Sequence, residues 1–216
     1  MFVLGVDEAG RGSFVGDLVI AGVLVEEKKH ELLKRIGCKD SKQLSPKKRE
    51  ELKNKIKEIA DNYHIINISA YEIDKMNYSG INLNLLEAIK ISEIINKLKP
   101  DKVILDSPSG TKKFVNSIKS RLKHKCEIIA EYKADINYPI VSAASILAKT
   151  ERDRILKDIE KELKIDLGVG YPHDEKMREN LKPLLKNSLV KKYLRHTWST
   201  YNDLLNEKEQ KKLGEW

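Results

Sequence analysis

Cysteine, aromatic residues and long apolar runs are all scarce in this sequence, and each scarcity removes a class of explanation. Two cysteines in 216 residues, Cys38 and Cys126, exclude a disulfide framework and a cysteine-built zinc site. A reducing, cytoplasmic compartment is the default expectation. No apolar run approaches the roughly 18–20 residues that a bilayer span requires, which argues against a membrane protein. The opening Met1-Phe2-Val3-Leu4-Gly5-Val6 meets Asp7 too soon for a signal peptide, so nothing here points to export. Aromatics make up only 6% of the chain, yet 40% of it is hydrophobic, enough at this length to bury a core without staples.

Charge is what the sequence has in abundance. Lys and Arg number 41 against 33 Asp and Glu, a formal net charge of +8. The excess is clustered. Residues 28–57 hold twelve basic and four acidic side chains, 111–125 hold six and none, and 176–216 hold ten and five. Separate basic stretches fit a polyanionic partner, nucleic acid first among them, although a lysine-rich solvated surface has the same composition.

The apolar pattern alternates between short β-rich runs and helical periodicity. Strands are expected over Phe2–Val6, Leu18–Val25, His64–Ser69, Lys102–Asp106 and Cys126–Glu131, with Gly10–Gly16 as a turn between the first two. Ser45-Pro46 supplies an N-cap and a first helical residue, and Leu52, Ile56, Ile59 and Tyr63 continue that helix down one face. Further helices are expected over Leu83–Leu98, closed by Pro100, around Phe114, Ile118 and Leu122, and after Pro139, where Ala143, Ala144 and Ala148 make one side small. From about Asp174 the chain reads as basic helices interrupted by Pro183. This order predicts an α/β protein: a mixed five-stranded sheet flanked by helices, with residues 1–174 as the main domain and 175–216 as a small helical C-terminal segment packed on it.

Acidic residues stand at the strand ends. Asp7 and Glu8 follow the first predicted strand, Asp106 ends the fourth, and Asp135 precedes the small-residue helix. Carboxyl ends of neighbouring strands in an open sheet converge on one crevice. Acids gathered there would repel unless they shared cations, and a hard-oxygen set suits Mg²⁺ or Mn²⁺. Taken singly, each is equally an ordinary strand-end acid. Gly10-Arg11-Gly12 follows directly, and glycines on both sides of Arg11 let backbone N–H groups approach a phosphate or sugar, though a hairpin turn needs the same glycines.

Together these segments resemble type 2 ribonuclease H (ribonuclease HII). The matching strings are Asp7-Glu8-Ala9-Gly10-Arg11-Gly12, Asp40-Ser41-Lys42-Gln43-Leu44-Ser45, Ile104-Leu105-Asp106-Ser107-Pro108, Lys133-Ala134-Asp135, Val141 to Lys149, Arg152-Asp153 and Gly170-Tyr171-Pro172. Arg195 and Trp198 resemble the archaeal branch, and Arg11 stands where the sister type 3 class, which also carries an extra N-terminal domain, usually has lysine. The resemblance implies a ribonuclease H-like fold and a divalent-metal-dependent endonuclease. Its expected substrates are the RNA strand of RNA–DNA hybrids and duplex DNA containing a single ribonucleotide. Cleavage would fall 5′ of the ribose and leave 3′-hydroxyl and 5′-phosphate ends.

By position, the resemblance makes Asp7, Glu8, Asp106 and Asp135 the catalytic, metal-binding acids. It gives Gly10, Arg11 and Gly12 the ribose 2′-hydroxyl, Tyr171 the neighbouring deoxyribose, and Lys42 a phosphate. Ser13 and Asp17 stand where the family commonly has proline, and Val169 where it commonly has serine, departures that bear on loop geometry and substrate preference rather than on the reaction. Two cations would serve such chemistry, one activating water and the other stabilising the leaving 3′ oxygen, with no need of a histidine base. Ser142 and Ser145 are expected to permit close packing, and Lys191, Lys192 and Arg195 to clamp the duplex backbone. A monomer is expected. Other nucleases with clustered acids, and a noncatalytic RNA-binding protein, are the rival readings.

Overall fold

The computed structural model describes residues 1–38, 44–107 and 112–213, with side chains described as far as residue 207. Five strands form one sheet in the order β3-β2-β1-β4-β5: β1 is Phe2–Ala9, β2 Leu18–Glu26, β3 Asn62–Ile68, β4 Lys102–Asp106 and β5 Glu127–Glu131. The β1–β2 pair is antiparallel, whereas β1–β4 and β4–β5 are parallel. The mixed sheet expected from the strand order is therefore present. Its central strands are apolar on both faces: Val3, Leu4 and Val6 of β1, Val103, Ile104 and Leu105 of β4 and nearly all of β2 are buried. Continuous apolar runs of this kind belong to strands covered on two sides.

The helices are α1 (His30–Arg35), α2 (Pro46–Ile59), α3 (Ala70–Tyr78), α4 (Leu83–Leu98), α5 (Lys112–Lys119), α6 (Ala134–Asn137), α7 (Pro139–Leu163), α8 (Glu175–Leu181), α9 (Ser188–Lys191) and α10 (Ser199–Leu213). Local signals explain most boundaries. Ser45 caps α2 by accepting from the Lys48 amide at 3.2 Å, with Pro46 at the first position. Ser69 caps α3 through the Glu72 amide at 3.1 Å, and Asp174 caps α8 through Met177. Helix α4 ends at Leu98 because Lys99 turns to φ +48 before Pro100.

Tyr63 is a correction. It lies in β3 rather than on α2, which stops at Ile59. Asp61 enforces the stop, because its carboxylate accepts the Glu26 amide at 2.8 Å and Lys29 Nζ at 2.6 Å, tying the chain to the end of β2. Helices α1 and α3 were not expected, although Ser69 and Glu72 form the Ser-x-x-Glu pattern of a helix start.

The chain divides into two compact units that are interleaved in sequence. The first comprises Met1–Ala9, Val19–Asn67 and Leu83–Glu151, and so holds the sheet. The second comprises Gly10–Leu18, Ile68–Asn82 and Arg152–Trp216, and has its own apolar cluster of Phe14, Val15, Leu156, Ile159, Leu167, Met177, Leu181, Leu185, Val190, Leu194 and Leu204. The Gly10–Gly16 segment is thus more than a hairpin turn: Phe14 and Val15 are core residues of the second unit.

In the first unit, α7 lies against β1 at a distance only glycine permits. A Cβ on Gly5 would sit 2.4 Å from the Ile140 carbonyl oxygen, a backbone atom that cannot swing aside. Gly5→Ala should therefore destabilise the protein by about 3 kcal/mol, as overpacking of a tight core does. Gly37→Ala has open space around it but a φ of +95, and should cost about 1 kcal/mol of backbone strain. Urea unfolding of both variants checks the ranking, and a Gly5→Ala midpoint above that of Gly37→Ala would contradict the close approach.

Candidate active site

Parallel pairing of β1 and β4 sets Val6 beside Leu105, and one residue further along the register brings Asp7 level with Asp106. Adjacent in-register residues project to the same face, so the two carboxylates lie side by side. Asp106 ends β4, whereas Asp7 and Glu8, expected to follow the first strand, lie within β1, because pairing with β2 carries that strand on to Ala9. Asp7 is 5% exposed and Asp106 half-buried. Burial pushes the Asp7 carboxyl up from 3.8 to about 7, and the charge of Asp106 adds to this. Opposing the shift are bonds to Asp7 from the Ser145 side chain and the Glu8 amide, the latter 2.8 Å from Oδ1, and the charge of Lys149.

Asp106 is steadied from the β5–α6 corner, where the Ala134 amide donates to its Oδ1 at 3.0 Å. Asp135, the next residue, is 2% exposed in the first turn of α6, which follows Lys133 in a left-handed conformation at φ +58. Glu8, the next residue of β1, is half-buried, and its amide is the one that donates to the Asp7 carboxylate. Among the described residues, no three His, Cys, Asp or Glu side chains converge tightly enough to cage a metal ion. Ions of the Mg²⁺ type are seldom caged by protein alone. They take one or two carboxylates and complete their shell with water and substrate phosphate. The neighbouring carboxylates of Asp7 and Asp106 could supply the one or two protein ligands that such an open site needs.

Ser145 and Lys149 were not singled out as site residues from the sequence. Their spacing of four on α7 places both on one helical face, toward Asp7. Ser142, three residues before Ser145, is fully buried, in keeping with close packing.

The second unit holds the other set. Gly10 takes φ +81, and the Ser13 amide closes back on the Gly10 carbonyl at 3.2 Å. The Ser13 hydroxyl lies 2.8 Å from the Val15 carbonyl and 2.9 Å from that of Gly170, and accepts Arg152 Nη2 at 3.1 Å. Phe14 donates its amide to the same Gly170 carbonyl at 2.9 Å. These bonds stitch the glycine loop to Gly170-Tyr171. A Cβ on Gly12 would come within 3.7 Å of Tyr171 Cε1, so the aromatic ring lies against the second glycine. The Arg152 guanidinium sits 5.4 Å from the centre of that ring and holds the Val169 carbonyl, fixing the ring's setting. Lys42, with Asp40 and Ser41, lies outside the described residues.

The C-terminal clamp needs correction. Lys191 and Lys192 are exposed, but Arg195 is 0% exposed and cannot meet a phosphate backbone. Its guanidinium donates to the carbonyls of Arg11 (2.8 Å), Gly10 (2.7 Å) and Gly16 (3.1 Å). Burial pulls its pKa down to about 10, which leaves it a cation at neutral pH. Asp74 was also missed. It is buried and accepts the amides of His196 and Thr197 and the Thr197 hydroxyl, at 2.7, 3.0 and 2.7 Å. No local pattern around Asp74 announces this role.

Comparison with known proteins bears on the same residues. The sequence model of the family described as Ribonuclease HII matches residues 4–201. The Ribonuclease HII of Methanothermobacter thermautotrophicus is 42% identical over 203 residues, covering 93% of this chain and 97% of that one. That of Pyrococcus furiosus is 43% identical over 216 residues, covering 98% and 95%. The crystal structure of ribonuclease H2 from Pyrococcus horikoshii OT3 superposes with a TM-score of 0.86 at 39% identity, over 97% of this chain and 100% of that one, so the mixed sheet is that of the ribonuclease H-like fold. Likeness of this depth over nearly the whole length has one reading: the chain belongs to the ribonuclease HII family, hydrolases that cleave RNA paired with DNA.

Proposed function

We propose that this protein is a divalent-metal-dependent endonuclease that hydrolyses the RNA strand of RNA–DNA hybrids and nicks duplex DNA 5′ of a single embedded ribonucleotide, leaving 3′-hydroxyl and 5′-phosphate ends. The observation that carries the metal dependence is the buried Asp7 carboxylate beside Asp106, a pair of like charges that a cation would relieve. Asp7, Glu8, Asp106 and Asp135 would hold Mg²⁺ or Mn²⁺. When bound, such ions supply activation of water and charge neutralisation at the leaving oxygen. The chain's own part is to hold the carboxylates rigidly: the Ala134 amide on Asp106, and the Ser145 side chain and Glu8 amide on Asp7.

Residues Gly10, Arg11 and Gly12 would receive the 2′-hydroxyl, with Tyr171 stacking on the deoxyribose beyond it and Lys42 contacting a phosphate. Residues 1–174 would form the catalytic domain and 175–216 the accessory helical segment. The enzyme would act as a monomer in the cytoplasm. No helix among the described residues is long and apolar enough to cross a membrane.

Asp7→Asn should abolish cleavage yet stabilise the metal-free protein. With its folded pKa near 7 and its ordinary value at 3.8, Asp7 contributes least cost when protonated, and its stability contribution is lost as pH rises between those values. At roughly 1.4 kcal/mol per pKa unit, the Asn variant should melt several degrees above wild type at pH 8 in EDTA and only slightly above it at pH 4.5. Adding Mg²⁺ or Mn²⁺ should raise the melting temperature of wild type and not of Asp7→Asn. Equal melting at both pH values, or full turnover by the variant, would remove the metal assignment.

Tyr171 should govern where the enzyme cuts. Tyr171→Ala should lose about 10–100-fold on a single embedded ribonucleotide, the scale of one stacking contact, and less on continuous hybrid. Tyr171→Phe should retain most activity, since the ring face does the stacking. Parallel losses on both substrates in steady-state assays would count against junction sensing.

A further inference from the structure

Arg195 and the Gly10–Gly12 loop stand at opposite ends of the sequence and meet within the second unit. A trans peptide holds its C=O and the following N–H on opposite sides of one plane. The Gly10 carbonyl shares a peptide with the Arg11 amide, and the Arg11 carbonyl shares one with the Gly12 amide. Arg195 Nη2 binds the first carbonyl at 2.7 Å and Nη1 the second at 2.8 Å. One buried cation therefore gathers two successive carbonyls on its own side and turns the Arg11 and Gly12 N–H vectors to the other. A charge on the carbonyl side also polarises each peptide, which strengthens its N–H as a donor.

The grip is continued on both flanks. Arg195 also donates Nε and Nη2 to the Gly16 carbonyl at 3.3 and 3.1 Å, its backbone amide donates to Phe14 at 3.1 Å, and Leu194 bridges Val15. The loop from Gly10 to Gly16 is thus bound around one guanidinium. The guanidinium is fixed in turn, because Trp198 lies 5.1 Å from its carbon and Asp74 of α3 takes the next two residues through four hydrogen bonds, His196 Nδ1 included at 3.0 Å. A planar fork with five donors suits this work. Lysine, a single point donor, could hold one carbonyl but not the arc of three.

We infer that Arg195 is a positioning residue for sugar discrimination: it sets the Arg11 and Gly12 amides as a preorganised donor pair for a ribose 2′-hydroxyl, and Asp74, through His196 and Thr197, sets Arg195. This rests on the reading that the Gly10–Gly12 backbone receives that hydroxyl. It gives the C-terminal segment a part in specificity distinct from any contact with the phosphate backbone.

The test compares Arg195→Lys, Arg195→Met and Thr197→Val with wild type on two duplexes, one carrying a single ribonucleotide and one all DNA. Binding is measured in EDTA, where no cleavage occurs, and kcat and KM are then measured with Mg²⁺ on the ribonucleotide duplex. Arg195→Lys and Arg195→Met should bring the affinity ratio between the duplexes at least fivefold closer to unity by weakening ribonucleotide binding alone. In kinetics, kcat/KM should fall at least tenfold, while the Mg²⁺-induced rise in melting temperature stays as in wild type. Thr197→Val, which removes only one hydroxyl from Asp74, should move the ratio the same way by a smaller amount, and it decides the matter should both Arg195 variants fail to fold. A wild type that binds both duplexes equally would overturn the reading of the loop and the inference with it. A discriminating wild type whose folded variants keep its ratio, or lose affinity for both duplexes equally, would overturn the role of Arg195 alone.

Discussion

Everything in the first unit answers to one unfavourable placement, the carboxylate of Asp7 buried on a central strand with Asp106 beside it. Removing a carboxylate from water disfavours its charged form, and a second carboxylate nearby disfavours it further. A pKa near 7 in place of 3.8 measures how far the fold pushes against this group. Such strain persists only where the surroundings over-determine it. Here β1 is fixed between β2 and β4, and α7 is pressed so close to β1 that Gly5 has no room for a methyl. An acid held this way is one whose burial cost a bound cation would lower, which is the role proposed for it.

The second unit meets the inverse problem with different means. Its most deeply buried charge among the described residues is Arg195, and the compensating groups are backbone carbonyls of Gly10, Arg11 and Gly16. Carbonyl dipoles can satisfy a guanidinium without neutralising it, so the cation keeps its field while its donors are used. The Asp7 and Asp106 carboxylates set like charges side by side, whereas the Arg195 guanidinium has its donors taken up by carbonyls. The first arrangement suits the proposed cation binding, and the second suits the proposed positioning role.

Much of this architecture was legible in the sequence because it depends on local period and on punctuation. Helix α4 and strand β4 fall on their expected bounds, since Leu83–Leu98 runs at helical spacing into Pro100 and Lys102–Asp106 is a short apolar run ended by an acid. Asp7 and Asp106 were legible as neighbours for a topological reason, since parallel strands bring acids at matching positions together, although β1 runs on past Asp7 to Ala9. Tyr63 misled because its spacing from Ile59 continues a helix that Asp61 ends through side-chain bonds to Glu26 and Lys29, partners no periodicity reveals. Arg195 misled more deeply. An arginine in a basic stretch counts toward surface charge, and its partners are carbonyls about 180 positions away that carry no side-chain signature.

Ser13 shows how such long-range closure bears on a local departure from the family's usual proline. A proline at this position would fix φ but could not donate to the Gly10 carbonyl, a bond the Ser13 amide makes at 3.2 Å. Serine adds a buried hydroxyl set against the carbonyls of Val15 and Gly170 and the Arg152 guanidinium. The loop here is therefore held by hydrogen bonds where proline would hold it by ring geometry. Val169, another departure, keeps its side chain exposed and engages through its backbone, donating to Asp174 at 2.5 Å and accepting from Arg152. Residue type at 169 is consequently free to vary, while the peptide there is not. The same distinction separates Gly12, whose missing side chain leaves space against Tyr171, from Gly10, whose conformation and carbonyl are what the rest of the unit grips.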